Sequence, residues 1–299
     1  MSDKVYINEA FPCINMILTW PRRAFKMLIR RHRLLIFLIC FSSFMMPIYL
    51  QELGWSHGNY EIVRLILSSA IIYQLVKMVW PSLIIHILAY WLVYRLIKTG
   101  SREFIAFSGL LYLAIAFGQG TAFTKYGLSL LTSNIALMSA VGLLWLRDFR
   151  EKVGLKGKGP AWFLPFGLFA FAAPMAGPTP WAWIWESARA NPLLALPAFT
   201  LDALAGFGAV AYCLFTPLAL SSAARAGAIR PLTMRMTSML GILYSTIIIT
   251  FFIAGALVGS IPAGEFFKSL WNSVLHIPLL ITCAYYFLID VELYSQQKK

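Results

Sequence analysis

Asp202 is the residue of this sequence whose chemistry stands out most. It lies about nine residues into an apolar stretch that begins near residue 193, which would place its carboxyl group near the middle of a bilayer. Asn134 is expected at a similar depth in its own apolar stretch, so the two side chains could form a hydrogen bond. Asp202 could then hold helices together as a protonated or paired group, or it could serve a proton or ion pathway.

Two histidines suggest a different chemistry. His86 and His276 each lie several residues inside an apolar stretch, at comparable expected depths. Two histidines on different helices at one depth could ligate the iron of haem b, although structural hydrogen bonding explains the same positions. We expect no cofactor, with haem b as the alternative, and the sequence leaves open whether a metal is bound.

A third group of residues is suited to binding lipid headgroups. Pro21 suits the first turn of a helix, and the apolar residues that follow it share one face while the cations take the other. We expect this amphipathic helix to lie on an anionic membrane surface. The expected headgroup contacts are Trp20, Arg22, Arg23, Lys26, Arg30, Arg31 and Arg33.

The composition determines what kind of protein must position these residues. The chain has 60% hydrophobic and 12% charged residues, whereas soluble domains carry about 25% charged residues. A net charge of +13 would suggest nucleic acid in a soluble protein, but here the cations flank apolar stretches, so we expect a lipid bilayer and no nucleic-acid partner. The four cysteines are far apart and read as small buried hydrophobic residues.

The apolar stretches predict an all-α, polytopic membrane protein with about eight transmembrane helices. An amphipathic interfacial helix precedes them, and a second surface helix is expected at about 61–79 on the outer side. Each predicted span is near the length that a hydrocarbon core of about 30 Å requires. The spans are 34–50, 82–97, 104–122, 127–146, 161–176, 193–220, 236–260 and 270–289.

The stretch 60–98 could cross the membrane once or twice. With one crossing, most of the 25 cations fall on one side of the membrane, which the positive-inside rule assigns to the cytoplasm together with both termini. The short loops and the charge asymmetry favour the inner membrane of a prokaryote. We divide the chain into a cytoplasmic segment at 1–33, a first membrane half at 34–150 and a second at 151–299.

Part of the first half resembles a known family. Thr19-Trp20-Pro21-Arg22-Arg23-Ala24-Phe25 is similar to the T-x-P-R-x-x-F opening of bacterial YIP-domain membrane proteins, and 98–104 resembles the family's glycine-serine turn. The resemblance covers about residues 15–146. It implies a non-enzymatic protein that organises membranes or assists larger complexes, and it would count 60–98 as two crossings.

The sequence therefore leads to three functional hypotheses. No phosphate-binding loop, nucleophile elbow or zinc-protease motif occurs, so no catalytic residue is assigned and an enzyme is the less favoured reading. The leading hypothesis is a non-catalytic membrane protein that scaffolds or accompanies other membrane-protein subunits. The alternatives are a transporter that uses Asp202 and a redox subunit that binds haem through His86 and His276.

Overall fold

The computed structural model describes residues 31–44, 46–56, 62–63, 65–66, 69–71, 79–151, 159–172, 211–257 and 263–288. Within these ranges the chain forms eight named helices and four short strands. In chain order they are α1 (Arg31–Phe44), β1 (Ile48–Leu50), β2 (Gly54–Ser56), α2 (Val79–Thr99), α3 (Glu103–Gly120), β3 (Thr121–Thr124), β4 (Gly127–Leu130), α4 (Thr132–Glu151), α5 (Phe163–Ala172), α6 (Ala211–Ala226), α7 (Pro231–Leu257) and α8 (Ala263–Leu288).

Helix α3 illustrates how the sequence determines an element. Its buried residues recur every three or four positions, from Phe104 through Tyr112 to Gln119, and so form one face of the helix. Glu103 places a negative charge in the first turn, where the helix dipole favours it. The helix ends because Thr121 adopts an extended backbone and begins β3.

The helices associate in close pairs, and glycines permit the closest approaches. In the α3–α4 pair, a Cβ added to Gly142 would lie 2.9 Å from the carbonyl oxygen of Gly109, and a Cβ added to Gly109 would lie 3.0 Å from that of Gly142. A Cβ added to Gly167 of α5 would lie 2.7 Å from the carbonyl oxygen of Pro217 in α6. Small residues at helix contacts are typical of helix packing in membranes.

The four strands form one antiparallel sheet in the order β2-β1-β4-β3. β1 pairs with β2, β3 pairs with β4, and β1 joins the two hairpins by pairing Tyr49 with Leu130 of β4. Gly54 and Gly127 adopt positive φ angles at the starts of β2 and β4, a conformation that glycine reaches without strain. Because β1 follows α1 and the β3–β4 hairpin joins α3 to α4, the sheet covers one end of these helices.

The fold class predicted from the sequence is wrong. In the ranges that the structure describes, a single helix, Glu103–Gly120, is long and apolar enough to cross a membrane, against about eight predicted. The sheet also excludes an all-α fold. Three predicted spans are divided between element types. The span 34–50 is helical only to Phe44 and ends in β1, 104–122 is helical to Gly120 and ends in β3, and 127–146 begins with β4 before α4 starts at Thr132.

The surface helix predicted at 61–79 lies mostly outside the described residues. Ile62, Val63, Leu65 and Ile66 are helical, whereas Ala70 makes an isolated antiparallel bridge to Ala122 of β3. The basic helix predicted before Arg31 lies outside the described ranges, as does the predicted span 193–220 up to residue 210.

Candidate functional site

Three polar pairs connect α4 to the chain of α7. Asp148 pairs with Arg230, which immediately precedes α7; Trp145 donates to Thr237; and Asn134 accepts a hydrogen bond from Tyr244. Thr237 and Tyr244 are seven residues apart, which is about two helical turns and places them on one face of α7, and Arg230 precedes Thr237 by another seven residues. The three pairs run antiparallel along the contact, and we call them the polar seam.

Asp148 is the most enclosed charged residue of the seam. It is fully buried in the last turn of α4, and its Oδ2 accepts a hydrogen bond of 2.7 Å from the backbone N–H of Arg230. The Arg230 Nε lies 3.6 Å from the other carboxylate oxygen. The seam therefore ends in a carboxylate held by both the backbone and the guanidinium of one residue.

Arg102 connects a third segment of the chain to Asp148. Its Nη2 donates to the backbone oxygen of Asp148 at 2.7 Å and to that of Ala228 at 3.0 Å. The turn before α3, the end of α4 and the α6–α7 connection are thereby joined by one guanidinium. Because each of these segments contributes a charged group, we call Arg102, Arg147, Asp148, Glu151 and Arg230 the ion-pair cluster.

The outer part of the ion-pair cluster is more exposed. Arg230 pairs with Glu151, which also accepts from Nε of Arg147 at 2.9 Å. Close by along the chain, Arg95 at the end of α2 pairs with Glu103 at the start of α3 at 2.7 Å. Exposed pairs of this kind contribute little to stability individually, so the buried carboxyl group of Asp148 is the energetically decisive member.

Burial sets the protonation behaviour of this cluster. It raises the pKa of the Asp148 carboxyl group, although the hydrogen bond from the Arg230 N–H and the charges of Arg230 and Arg102 act in the opposite direction. Burial likewise lowers the pKa of Arg102, against the attraction of Asp148. The cluster can hold segments together and can take up a proton at Asp148.

Asn134 is buried in α4, and the partner that the structure describes for it is a tyrosine. The Tyr244 hydroxyl donates to its Oδ1 at 2.7 Å. Its Nδ2 makes no hydrogen bond to the residues that the structure describes. Asp202, the partner expected from the sequence, lies outside those residues, so the Asp202–Asn134 pair and the transport hypothesis remain predictions.

The two histidines are both buried and lie on different helices. His86 of α2 lies face to face with Phe171 of α5, with ring centroids 4.3 Å apart. His276 is buried in α8, which packs mainly against α7 and α6. The described residues include no cluster of three or more histidine, cysteine or acidic side chains that could hold a metal. Stacking explains the position of His86, and haem ligation by the pair stays a prediction.

One of the predicted headgroup contacts is buried in the structure. Arg33 is 1% exposed at the start of α1, which packs on α7 and α4, so its side chain is enclosed by protein. Arg31 belongs to α1, but its side chain is not among those described. The remaining residues of this prediction lie outside the described ranges: Trp20, Arg22, Arg23, Lys26 and Arg30.

The exposed surfaces of α1 and α2 are strongly apolar. On α1 the exposed residues include Leu35 and Leu38, and on α2 they include Ile87, Trp91 and Tyr94. These side chains are between 50% and 62% exposed. The interior, by contrast, contains the polar seam, the two histidines and a series of serines and threonines on α6 and α7.

Sequence reasoning missed the ion-pair cluster. The charge pattern treats its three arginines only as cations that flank separate apolar stretches, and it assigns no role to its two acids. Asp148 and Glu151 are two of only 12 acidic residues, and they stand among the cations of one basic segment. Acids in such a segment indicate local neutralisation of charge, which was the available signal.

Comparisons of the chain with protein-family models, with curated proteins and with solved structures return no match. The similarity of residues 15–146 to YIP-domain proteins therefore stays a prediction.

Proposed function

We propose that this chain is a non-catalytic integral membrane protein that scaffolds or accompanies a larger membrane assembly. The observation that carries the proposal is the apolar outer surface of α1 and α2. Leu35 and Leu38 on α1 and Ile87 and Trp91 on α2 present their side chains outward, each at least half exposed. Soluble monomers rarely expose contiguous apolar patches of this kind, which mark sites that meet lipid or another protein.

The interior is consistent with the same proposal. Buried hydrogen bonds join helices, as between Tyr112 and Thr216 and between Trp145 and Thr237. Glycine contacts bring α3 and α4 together. Polar side chains used as internal connections, close glycine packing and an apolar exterior are the combination expected where lipid replaces water as the solvent.

The two ends of the helices differ in charge, which supports the predicted orientation. Arg102, Asp148 and Arg230 come from three basic segments that the sequence assigns to the cytoplasmic side, and they meet in one cluster. The segments around 51–56 and 122–127, which the sequence assigns to the outer side, contribute to one sheet. A cytoplasmic ion-pair cluster and an outer sheet agree with the positive-inside rule.

The proposal is tested by purifying the full chain from membranes in a mild detergent. Photo-crosslinking side chains placed at Ile87 and Trp91 of α2 should capture lipid or a companion subunit, whereas one placed at Glu151 should not. We expect stoichiometric companions and no Soret band. A protein that is alone under these conditions, with no crosslink at Ile87, would contradict the scaffold role, and a Soret band lost on substitution of His86 or His276 would support the haem alternative.

A further inference from the structure

The register of the sheet assigns its two faces unambiguously. Trp55 is opposite Tyr49, Tyr49 is opposite Leu130, and Leu130 is opposite Thr121. Since residues two apart in a strand share a face, Phe123 and its partner Leu128 lie on the same side as this row. One face of the sheet is therefore lined by aromatic and aliphatic side chains from all four strands.

The opposite face is the one that packs into the protein. Ile48, Leu50, Ala122 and Ser129 are each at most 2% exposed. A sheet with one buried face ordinarily shows polar residues on the other, but here Trp55 is 65% exposed and Phe123 is 71% exposed. Tyr49 packs edge-on against Trp55 with ring centroids 5.3 Å apart. The outward face is thus apolar and rich in aromatic rings.

The turns of the sheet limit how deep this face can lie in a membrane. They carry the exposed polar side chains of Gln51 and Glu52, and Lys125 lies 5.0 Å over the ring of Tyr126. Charged side chains are expensive in the hydrocarbon core of a bilayer. The sheet can therefore reside at the headgroup level but not in the hydrocarbon core.

The sheet is continuous with the exposed apolar surface of α1, which the proposed function assigns to lipid, and with that of α3. Phe41 and Met46 are 47% and 43% exposed just before β1, and Phe117 is 57% exposed in the last turn of α3 before β3. Exposed apolar side chains thus follow α1 and α3 directly into the sheet. Tryptophan, tyrosine and phenylalanine at such a boundary are typical of the aromatic belt at a membrane interface.

We propose that the outward face of the sheet lies on the lipid headgroup–acyl boundary, with Trp55 and Phe123 inserted as aromatic anchors. The bound partner is the lipid surface itself, and the inference rests on the proposed membrane function. Trp55 and Phe123 come from the two edge strands, so they fix the sheet at both sides. The sheet then sets the depth of the helix ends to which it is joined.

The test uses the full chain, with its native cysteines replaced by alanine, reconstituted in phosphatidylcholine–phosphatidylglycerol vesicles. Nitroxide labels are attached to Phe123→Cys as the sheet probe, to Glu52→Cys as the matched turn control and to Leu38→Cys as the helix control. Collision of each label with oxygen, which concentrates in lipid, is compared with collision with a water-soluble nickel complex. We expect the oxygen-to-nickel ratio at Phe123→Cys to exceed that at Glu52→Cys several-fold.

A second measurement keeps the native cysteines. Quenching of tryptophan fluorescence by lipids brominated near the headgroup end of the acyl chain is compared between the native chain and Trp55→Phe. The difference between them isolates Trp55 among the ten tryptophans. A larger effect of shallow than of deep bromines on this difference is the expected result.

The outcomes separate the two proposals. A lipid-exposed label at Leu38→Cys with a water-exposed label at Phe123→Cys would overturn the sheet inference and leave the membrane function standing. A label at Phe123→Cys that meets neither probe would show that protein covers the face, which also overturns it. A water-exposed label at Leu38→Cys would contradict the membrane function, and the sheet inference with it.

Discussion

The Asp148 carboxylate accepts a 2.7 Å hydrogen bond from the backbone N–H of Arg230, a residue 82 positions later in the chain. This contact joins the C-terminal end of α4 to the start of α7. Arg102 donates to the backbone oxygen of the same aspartate, so one residue receives hydrogen bonds from two distant segments. Asp148 therefore lies where three segments meet: the turn before α3, the end of α4 and the connection between α6 and α7. Its side chain accepts a hydrogen bond at this point.

Replacing Asp148 with alanine should destabilise the protein. The substitution leaves the N–H of Arg230 without its acceptor, and an unmade buried hydrogen bond costs about 1–3 kcal/mol. Asp148→Asn should cost less, because an amide oxygen retains the acceptor and avoids burying a charge. Thermal unfolding of the detergent-purified variants measures both. Glu151→Gln, at a more exposed site, should change stability by less than about 1 kcal/mol. An asparagine variant as unstable as the alanine variant would show that the charge itself is needed.

The stability of the native chain should depend on pH through Asp148. Burial raises its pKa in the folded state above the ordinary value of 3.8, so the folded protein takes up this proton at higher pH than the unfolded chain. The contribution of this group to the free energy of unfolding is therefore fully present below pH 3.8 and is lost as the pH rises through the folded-state pKa. We compare the melting temperatures of the native chain and Asp148→Asn from neutral to acidic pH. As the pH falls, the melting temperature of the native chain should rise relative to that of the variant. A constant difference would contradict the raised pKa.

Removing the hydroxyl of Tyr244 should weaken the polar seam. In Tyr244→Phe the buried Oδ1 of Asn134 loses its donor, which should cost about 1–3 kcal/mol of unfolding free energy. Tyr94→Phe is the matched control, because Tyr94 is 62% exposed on α2. Removing its hydroxyl should change the free energy of unfolding by no more than about 0.5 kcal/mol. Equal melting temperatures for the two variants would count against the seam as a stabilising contact.

Adding a methyl group between α3 and α4 should separate the two helices. The Cβ in Gly142→Ala would lie 2.9 Å from both the Gly109 oxygen and the Leu113 Cγ, and a backbone atom cannot move aside as a side chain can. Such overpacking costs about 1–3 kcal/mol. Ala136→Ser, on an exposed position of the same helix, should have little effect in the same unfolding measurement. If Gly142→Ala were equally harmless, the α3–α4 contact would have to be looser than described.

The apolar stretches of the sequence predicted the positions of the helices more accurately than they predicted which helices could cross a membrane. Each of the eight named helices overlaps a predicted apolar segment, because the described helices carry long runs of apolar residues. The strands were missed because β1 and β4 continue such a stretch without a change in hydropathy. Gly54 and Gly127, whose positive φ angles begin β2 and β4, were the local signs of turns.

The candidate site was likewise predictable only in part. Asn134, His86 and His276 were predicted at depths within a membrane from their places in apolar segments, and the structure buries all three inside the protein. The Asp148–Arg230 contact could not be read from the sequence, since it joins residues whose proximity depends on how α4 packs against α7. Arg33 was assigned to lipid because it belongs to a run of cations, whereas the packing of α1 on α7 and α4 encloses it.

Alkaline carbonate extraction of membranes that contain the full chain tests the central proposal most directly. Carbonate strips peripheral proteins, whereas a chain whose apolar α1 and α2 surfaces face lipid should remain in the membrane pellet and enter solution only with detergent. Recovery in the pellet after carbonate and in the supernatant after detergent is the predicted result. Release by carbonate alone would contradict the proposal that this protein is integral to the membrane.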